Sequence, residues 1–252
     1  MIDLTAKKAL ISGGSRGIGR ATAILFAKAG ADVAITYQRQ EKAALEVKAS
    51  VEGLGRRCLA LRAEISNEAE VRRAVEEIIH AWGRVDVLVN NAGIWTYLEI
   101  GSGETKAWKE TMEVNLDSVY YFTDAVVPHM KKHKQGGIIN VGSTAGIRGE
   151  AFHSHYAATK GALNALTKSW AAEFAPHHIR VNLVAPGWVD TDMCSEVFGN
   201  PAFKESVRQS IPLKRIPPPE DIAGPILFLA SDLARHITGA IINVNGGSVL
   251  CG

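Results

Sequence analysis

The chain is predicted to fold as one α/β unit, a doubly wound parallel sheet of about seven strands with helices on both faces. Three observations predict it. Short apolar runs alternate regularly with amphipathic stretches along the whole length. The runs are apolar at successive residues rather than at every second one, as parallel strands covered on both faces require. The first run also passes into the first amphipathic stretch through a glycine-rich turn, Gly13-Gly14-Ser15-Arg16-Gly17-Ile18-Gly19.

Taken in order, the first strand is expected at Lys8–Ser12, and the glycine turn opens a helix over Ile18–Ala29. A second strand at Asp32–Tyr37 leads to a helix at Glu41–Leu54, and a third at Arg57–Arg62 to a helix at Glu68–Ala81, for which Ser66 and Asn67 are the candidate caps. The fourth strand, Val85–Asn90, is followed by the long apolar-faced stretch Trp108–Lys132, read as one helix. Gly137–Val141 is the fifth strand, Tyr156–Phe174 the next helix and Arg180–Ala185 the sixth strand. After Glu220–Ala230, a helix, Ala240–Val244 completes the sheet. Right-handed crossovers between successive strands make such a sheet open and doubly wound. Residues 187–219 carry Trp188, Met193, Phe198, Phe203 and several prolines, and are too long for an ordinary connection, so a substrate lid is expected there.

With 252 residues, 46% of them hydrophobic, the chain can bury the core of one such domain. A net charge of +2, with Lys and Arg spread along the chain, gives no reason to expect nucleic acid or an anionic membrane surface as partner. No apolar stretch approaches the ~20 residues that span a bilayer, and the N-terminus shows no signal peptide. Cys58, Cys194 and Cys251 do not pair evenly and lack metal spacing, which suggests a reducing compartment, so a cytoplasmic location is expected. His129, His133, His153, His155, His177 and His178 lack Cys or carboxylate companions at ligand spacing, so no metal site is expected.

The residues that carry chemistry fall at the carboxyl ends of the predicted strands, the edge where ligands bind in this architecture. Gly13, Gly17 and Gly19 allow a tight turn and a close approach of backbone N–H groups to a pyrophosphate at a helix N-terminus. Asn90-Asn91-Ala92-Gly93 ends the fourth strand, where small residues let a ligand lie on the backbone and the amides can tie neighbouring strands. By itself that string is equally a strand-ending turn. Ser143 ends the fifth strand and Pro186-Gly187 the sixth; alone, the serine could be a turn residue. Tyr156 and Lys160 are one helical turn apart and share a face. An ammonium there favours the phenolate, and a downward shift of roughly three units from the usual tyrosine value is worth ~4 kcal/mol. Asn115 interrupts an apolar helix face, where it either satisfies a backbone group or serves the site.

Together, the glycine turn, Asn91-Ala92-Gly93, Asn115, Ser143, Tyr156-x-x-x-Lys160, Pro186-Gly187 and Thr191 resemble the short-chain dehydrogenase/reductase family over essentially the whole chain, and within it the 3-oxoacyl-(acyl-carrier-protein) reductase branch. The resemblance implies a Rossmann-type fold and a hydride-transferring oxidoreductase. Tyr156 would donate or accept the proton, Ser143 would hydrogen-bond the carbonyl oxygen, Lys160 would hold the ribose hydroxyls, and Asn115 would anchor a water. It places the cofactor against Gly13, Ser15, Arg16, Gly17, Ile18, Gly19, Tyr37, Arg39, Glu64, Ile65, Asn91, Ala92, Gly93, Tyr156, Lys160, Pro186, Gly187, Val189 and Thr191. Many relatives carry Asp where this chain has Glu64, which offers its acceptor from further out. NAD-preferring relatives have an acidic residue where this chain has Tyr37, so NADP(H) is expected in preference to NAD(H), with Arg16 and Arg39 near the 2′-phosphate; the alternative is that both arginines are plain surface residues.

The substrate is expected against Trp95, Ser143, Arg148, Phe152, Tyr156, Trp188 and Met193, with Tyr97 and His153 nearby. It is a small carbonyl or alcohol, with a carrier-borne thioester one candidate; Lys134 suits an acidic carrier, but His177-His178 replaces the second basic residue of such reductases. The resemblance also implies a homotetramer built on Trp108–Lys132, Tyr156–Phe174 and the segment 240–252. Alternative readings are a small-alcohol, sugar or steroid dehydrogenase, a non-catalytic dinucleotide-binding regulator, and a non-redox lyase or isomerase on the same sheet.

Overall fold

The computed structural model describes residues 2–250. Seven parallel strands form one sheet in the order β3-β2-β1-β4-β5-β6-β7. They are β1 (Lys8–Ile11), β2 (Asp32–Tyr37), β3 (Cys58–Arg62), β4 (Val87–Asn90), β5 (Gly136–Val141), β6 (Ile179–Pro186) and β7 (Ile241–Val244). Each begins and ends within about two residues of its expected range. The order reverses between β1 and β4, which pair through Ala9–Val87, Leu10–Leu88 and Ile11–Val89. A crevice opens at the carboxyl ends of those two strands, because their onward connections leave to opposite sides.

The helices are α1 (Gly17–Lys28), α2 (Glu41–Gly53), α3 (Glu68–Trp82), α4 (Thr105–Met112), α5 (Ser118–His133), α6 (Ala145–Arg148), α7 (Ser154–Phe174), α8 (Ser195–Phe198), α9 (Pro201–Ser210) and α10 (Glu220–Ala230). Two apolar layers hold them to the sheet. One gathers Phe26, Val47, Ile222 and Ile226 around Ile11 and Ile35; the other gathers Val75, Phe122, Val126 and Leu163 around Leu10, Leu88 and Ile138. Full burial of each such side chain contributes ~1.5–3 kcal/mol. Asn67 caps α3, accepting from the N–H groups of Ala69 and Glu70 at 3.0 and 3.3 Å, and Gly83 ends it in the left-handed conformation. Ser66, the other candidate cap, instead donates its hydroxyl to Glu64.

One expectation about the helices needs correction. The stretch read as one helix over Trp108–Lys132 starts at Thr105 and is broken by a π-helical turn, Glu113–Asp117, that widens the ladder around the buried Asn115. Residues 187–219 hold a 3₁₀ turn (Asp192–Cys194), α8 and α9, packed around a small core of Cys194, Phe198, Val207 and Ile211. Cys58 and Cys194 are buried free thiols, and burial raises the pKa of both. Cys251 and the last residues of the 240–252 segment lie outside the described residues. No helix among those described is long and apolar enough to cross a membrane.

Candidate active site

A cleft of about 660 Å³ follows the carboxyl ends of β1, β2, β4, β5 and β6. At its centre Ser12, the residue after β1, accepts the N–H groups of Asn91 and Ala92 on its hydroxyl at 3.0 and 3.1 Å. The Asn91 carboxamide returns a hydrogen bond to the carbonyl of Ser12 at 2.9 Å and another to that of Gly13 at 3.2 Å. The glycine turn is thereby moored to the end of β4. Gly13 has φ +64, and a side chain at Gly19 would put its Cβ 2.3 Å from the Gly13 carbonyl oxygen, so neither position admits a larger residue without moving the turn. Above it, α1 begins with no capping side chain and no acidic residue in its first turn, leaving N–H groups free for an anion.

Of the expected cofactor residues, Gly13, Ser15, Arg16, Gly17, Ile18, Tyr37, Arg39, Glu64, Ile65, Asn91, Ala92, Gly93, Pro186, Gly187, Val189 and Thr191 line this cleft; Gly19 packs behind the turn. The chain therefore presents an uncapped helix end, a glycine cradle and a trough along the strand ends, which fit a nicotinamide dinucleotide. Glu64 is already engaged, accepting from the Gln38 carboxamide and from the Ser66 hydroxyl. A side cavity of about 380 Å³ beyond it is lined by Gln38, Arg39, Arg62, Glu64, Glu70 and Arg73.

Ser143 follows β5, and Tyr156 and Lys160 rise from α7 into the same cleft. The Ser143 oxygen accepts from the Ala145 N–H at 3.1 Å, and its hydroxyl sits beside the Tyr156 phenol. Lys160, only 4% exposed, donates to the Val141 carbonyl at 2.9 Å and lies 5.7 Å from the centre of the Tyr156 ring. Burial lowers its pKa to about 8. Burial pushes the Tyr156 phenol up to about 12, with Glu150 and Cys194 adding to the rise and the Ser143 hydroxyl opposing it. The expected lowering of the Tyr156 pKa is thus reversed in the protein alone, where desolvation of the phenolate outweighs the other effects.

Asn115 is fully buried, and its carboxamide is spent on Ile94, accepting from the N–H and donating to the carbonyl, each at 2.8 Å. A water held by Asn115, as the resemblance implies, would have to use the main chain of the π-helical turn. At the far end of the cleft Trp95, Arg148, Trp188 and Met193 line the wall. Trp95 stacks on His153 with centroids 4.3 Å apart and meets Trp188 edge-on at 5.7 Å. Phe152 does not join them. Its backbone is left-handed, with φ +62, and its ring is 54% exposed, stacked on Tyr97 outside the cleft. Sequence reasoning missed Glu150, Glu110, Asp192 and Cys194, which also line the cleft. Glu150 could have been found from its place between Ser143 and Tyr156; Glu110 gives no signal in an exposed helical turn. Among the described residues no cluster of His, Cys, Asp or Glu side chains is placed to hold a metal ion.

A family model described as enoyl-(acyl carrier protein) reductase matches residues 13–248. The chain is 38% identical to a 3-oxoacyl-(acyl-carrier-protein) reductase of Thermotoga maritima, over 98% of this chain and 99% of that protein. It is 36% identical to an L-rhamnose 1-dehydrogenase (NAD(P)(+)) of a Sphingomonas strain, over 97% and 96%. Its fold matches a crystal structure from Sinorhizobium meliloti, described as a short-chain alcohol dehydrogenase, with a TM-score of 0.93, 32% identity and coverage of 98% and 97%. The cleft, the residues gathered along it and these relatives agree: the chain belongs to the short-chain dehydrogenase/reductase family and is an oxidoreductase of carbonyl and hydroxyl groups that works with a nicotinamide dinucleotide.

Proposed function

We propose that the chain is an NADP(H)-dependent reductase that interconverts a carbonyl and a secondary alcohol, with a 3-oxoacyl thioester as its substrate. The observation that carries the reaction is the meeting of Ser143, Tyr156 and Lys160 at one end of a dinucleotide-shaped cleft. When bound, the nicotinamide supplies or takes up the hydride. Tyr156 gives its proton to the carbonyl oxygen during reduction, and its high pKa keeps that proton in place until the oxygen becomes basic. The Ser143 hydroxyl donates to the same oxygen and stabilises the charge developing there. Lys160, held near the cleft floor by Val141, would meet the ribose hydroxyls on leaving that carbonyl.

The preference for NADP(H) is supported by what ends β2. Tyr37, Gln38, Arg39 and Gln40 line the cleft there with no carboxylate of their own, and the side cavity sets Arg39, Arg62 and Arg73 against the carboxylates of Glu64 and Glu70. A 2′-phosphate is favoured by guanidinium groups and repelled by a carboxylate at that point. The thioester is supported by the Thermotoga relative, a 3-oxoacyl-(acyl-carrier-protein) reductase. A polyhydroxylated substrate is the second reading, favoured by the polar lining of Arg148 and Glu150 beside Trp95 and by the rhamnose dehydrogenase relative. We read residues 187–219 as a lid, supported by its own small core and by the Arg16–Asp192 ion pair, 3.8 Å, that reaches from the glycine turn to it. A homotetramer is supported by the exposed Trp108 and Tyr120 on the helical stretch 105–133 and by the half-exposed edge strand β7.

The test is the initial rate of reduced-cofactor oxidation with NADPH and with NADH, against acetoacetyl thioester, simple ketones and sugar lactones, with Tyr156→Phe as control. Tyr156-dependent turnover of the thioester with NADPH supports the proposal. Turnover of lactones alone, or an equal rate with NADH, replaces the substrate or the cofactor respectively. Tight NADPH binding without turnover points to a regulator.

A further inference from the structure

Residues 94–98 run from the turn after β4 toward α4, and residues 95–98 lie along the stretch 152–155 that leads into α7. The Leu98 N–H donates to the Phe152 carbonyl at 2.8 Å. The Tyr97 and Phe152 rings stack at 5.5 Å, and the Trp95 and His153 rings lie parallel at 4.3 Å. The last contact is a side-chain hydrogen bond of 2.8 Å between Thr96 Oγ1 and His155 Nε2. Asn115 clasps the other end of the segment through Ile94. Trp95, which lines the substrate end, is therefore fixed between two polar clasps, and one of them is the immediate neighbour of Tyr156.

The His155 imidazole is fully buried, and its Nδ1 has no hydrogen-bond partner. A buried N–H without an acceptor is costlier than an unused lone pair, so the network assigns the proton to Nε2. Nε2–H then donates to Thr96, whose own hydroxyl faces Thr111 Oγ1 on α4 at 3.4 Å. A second proton on the ring would be a buried charge with an orphaned donor, and burial does lower the His155 pKa, with the nearby His153 adding to the effect.

We infer that His155, as the neutral imidazole, is a positioning residue: through Thr96 it sets Trp95, and so the substrate wall, in register with Tyr156 on its own helix. The inference rests on the assignment of Tyr156 as the proton donor. It predicts that the histidine acts on the carbonyl substrate and leaves cofactor binding alone, because the segment meets the cleft at Ile94 and Trp95 and the His155 clasp bears on Trp95, away from the glycine turn.

The experiment compares His155→Leu, His155→Gln and Thr96→Val with the parent chain. Leu keeps bulk without a donor, Gln restores a donor near the Nε2 position, and Val removes only the Thr96 hydroxyl. His155→Leu and Thr96→Val should each lower kcat/KM for the carbonyl by about thirtyfold, the scale expected of a small misplacement at a reacting centre, with KM for NADPH changed by about twofold at most. The double variant should lose little more than either single one. His155→Gln should recover to within about threefold of the parent, since one donor replaces another. Acrylamide quenching of Trp95, isolated by difference from a Trp95→Phe background, should rise in the Leu and Val variants and not in the Gln variant. Parent-like kinetics and quenching in His155→Leu and Thr96→Val overturn the inference. So does a loss in His155→Leu that Gln fails to restore and Thr96→Val fails to reproduce, which would mark simple core packing. A parent chain inactive on every carbonyl would refute the proposed function, and the quenching comparison would still decide this point.

Discussion

The carboxamide of Asn115 grips both backbone groups of Ile94, one hydrogen bond in each direction at 2.8 Å. The grip is possible because the π-helical turn Glu113–Asp117 carries Asn115 beneath the cleft lining, beside Gly93 and Lys160: a Cβ added at Gly93 would lie 3.1 Å from Asn115 Oδ1 and 3.6 Å from Lys160 Nζ. Asn115→Ala leaves the two half-buried backbone groups of Ile94 without this partner, which costs about 1 kcal/mol of stability. Turnover should fall by about tenfold or more as the loop that bears Gly93 and Trp95 loosens. Thermal melting and steady-state kinetics on the same preparation check both; a variant that melts early yet keeps parental kcat would remove Asn115 from the active arrangement.

Tyr156→Phe deletes one hydroxyl and keeps the ring. If the phenol is the proton donor, turnover drops by about a hundredfold or more, while NADPH affinity, measured by fluorescence titration, stays near the parental value. Ser143→Ala should also cost turnover, since it removes a donor to the same oxygen, by about 10²-fold. Near-normal turnover in Tyr156→Phe would refute the assigned mechanism.

The strands were readable because residues such as Val33, Ile35, Val87 and Val181 are buried on both sheet faces, which leaves unbroken apolar runs. The site was readable because the strand ends bring sequence-distant residues to one edge. Local geometry hid the rest. The π-helical turn adds no residue type that a helix lacks, so the 105–133 stretch reads as continuous. Phe152 sits close to Tyr156 in sequence, yet its left-handed backbone turns the ring outward. The Tyr156 pKa could not follow from the spacing to Lys160, because spacing reports a neighbouring charge and not the depth at which the phenol is buried.

Gly146 tests how closely the Ser143 turn must approach the Tyr156 helix. A Cβ there would lie 2.4 Å from the Lys160 carbonyl carbon and 2.7 Å from the Gly161 nitrogen, both backbone atoms that cannot swing aside. Asn164 also donates to the Gly146 carbonyl at 3.0 Å. Gly146→Ala should therefore push α6 off α7 and separate Ser143 from Tyr156, lowering kcat by about tenfold or more with cofactor affinity little changed. A parental kcat would show that the two helices can part without disturbing the site.

Arg39 bears on the cofactor. It lines both the main cleft and the side cavity at the end of β2. Under the NADP(H) proposal Arg39→Ala raises KM for NADPH by about tenfold, the loss of one charge-assisted contact worth about 1.4 kcal/mol, and leaves KM for NADH nearly unchanged. Equal losses for both cofactors would mean that the guanidinium does not meet a 2′-phosphate.

Asp32, at the start of β2, is buried and receives Lys8 Nζ at 2.6 Å, Arg56 at 3.0 Å, and the Arg57 side chain and N–H at 2.9 and 3.0 Å. Burial alone would raise its pKa, but the hydrogen bonds from Lys8 and Arg57 and the Lys8 charge outweigh that and hold it well below the usual carboxylate range. A folded-state pKa below the unfolded one means that the carboxylate stabilises the fold fully above the unfolded value of about 4, and that this contribution fades as pH falls toward the folded value. Asp32→Asn should cost about 3 kcal/mol at neutral pH, since it leaves three cations around a neutral group. The melting temperatures of parent and variant should then converge as pH is lowered from about 5 toward 2, because the parent alone loses the ion-paired carboxylate. A gap that stays constant across that range would assign the cost of the substitution to packing or hydrogen-bond geometry instead of charge.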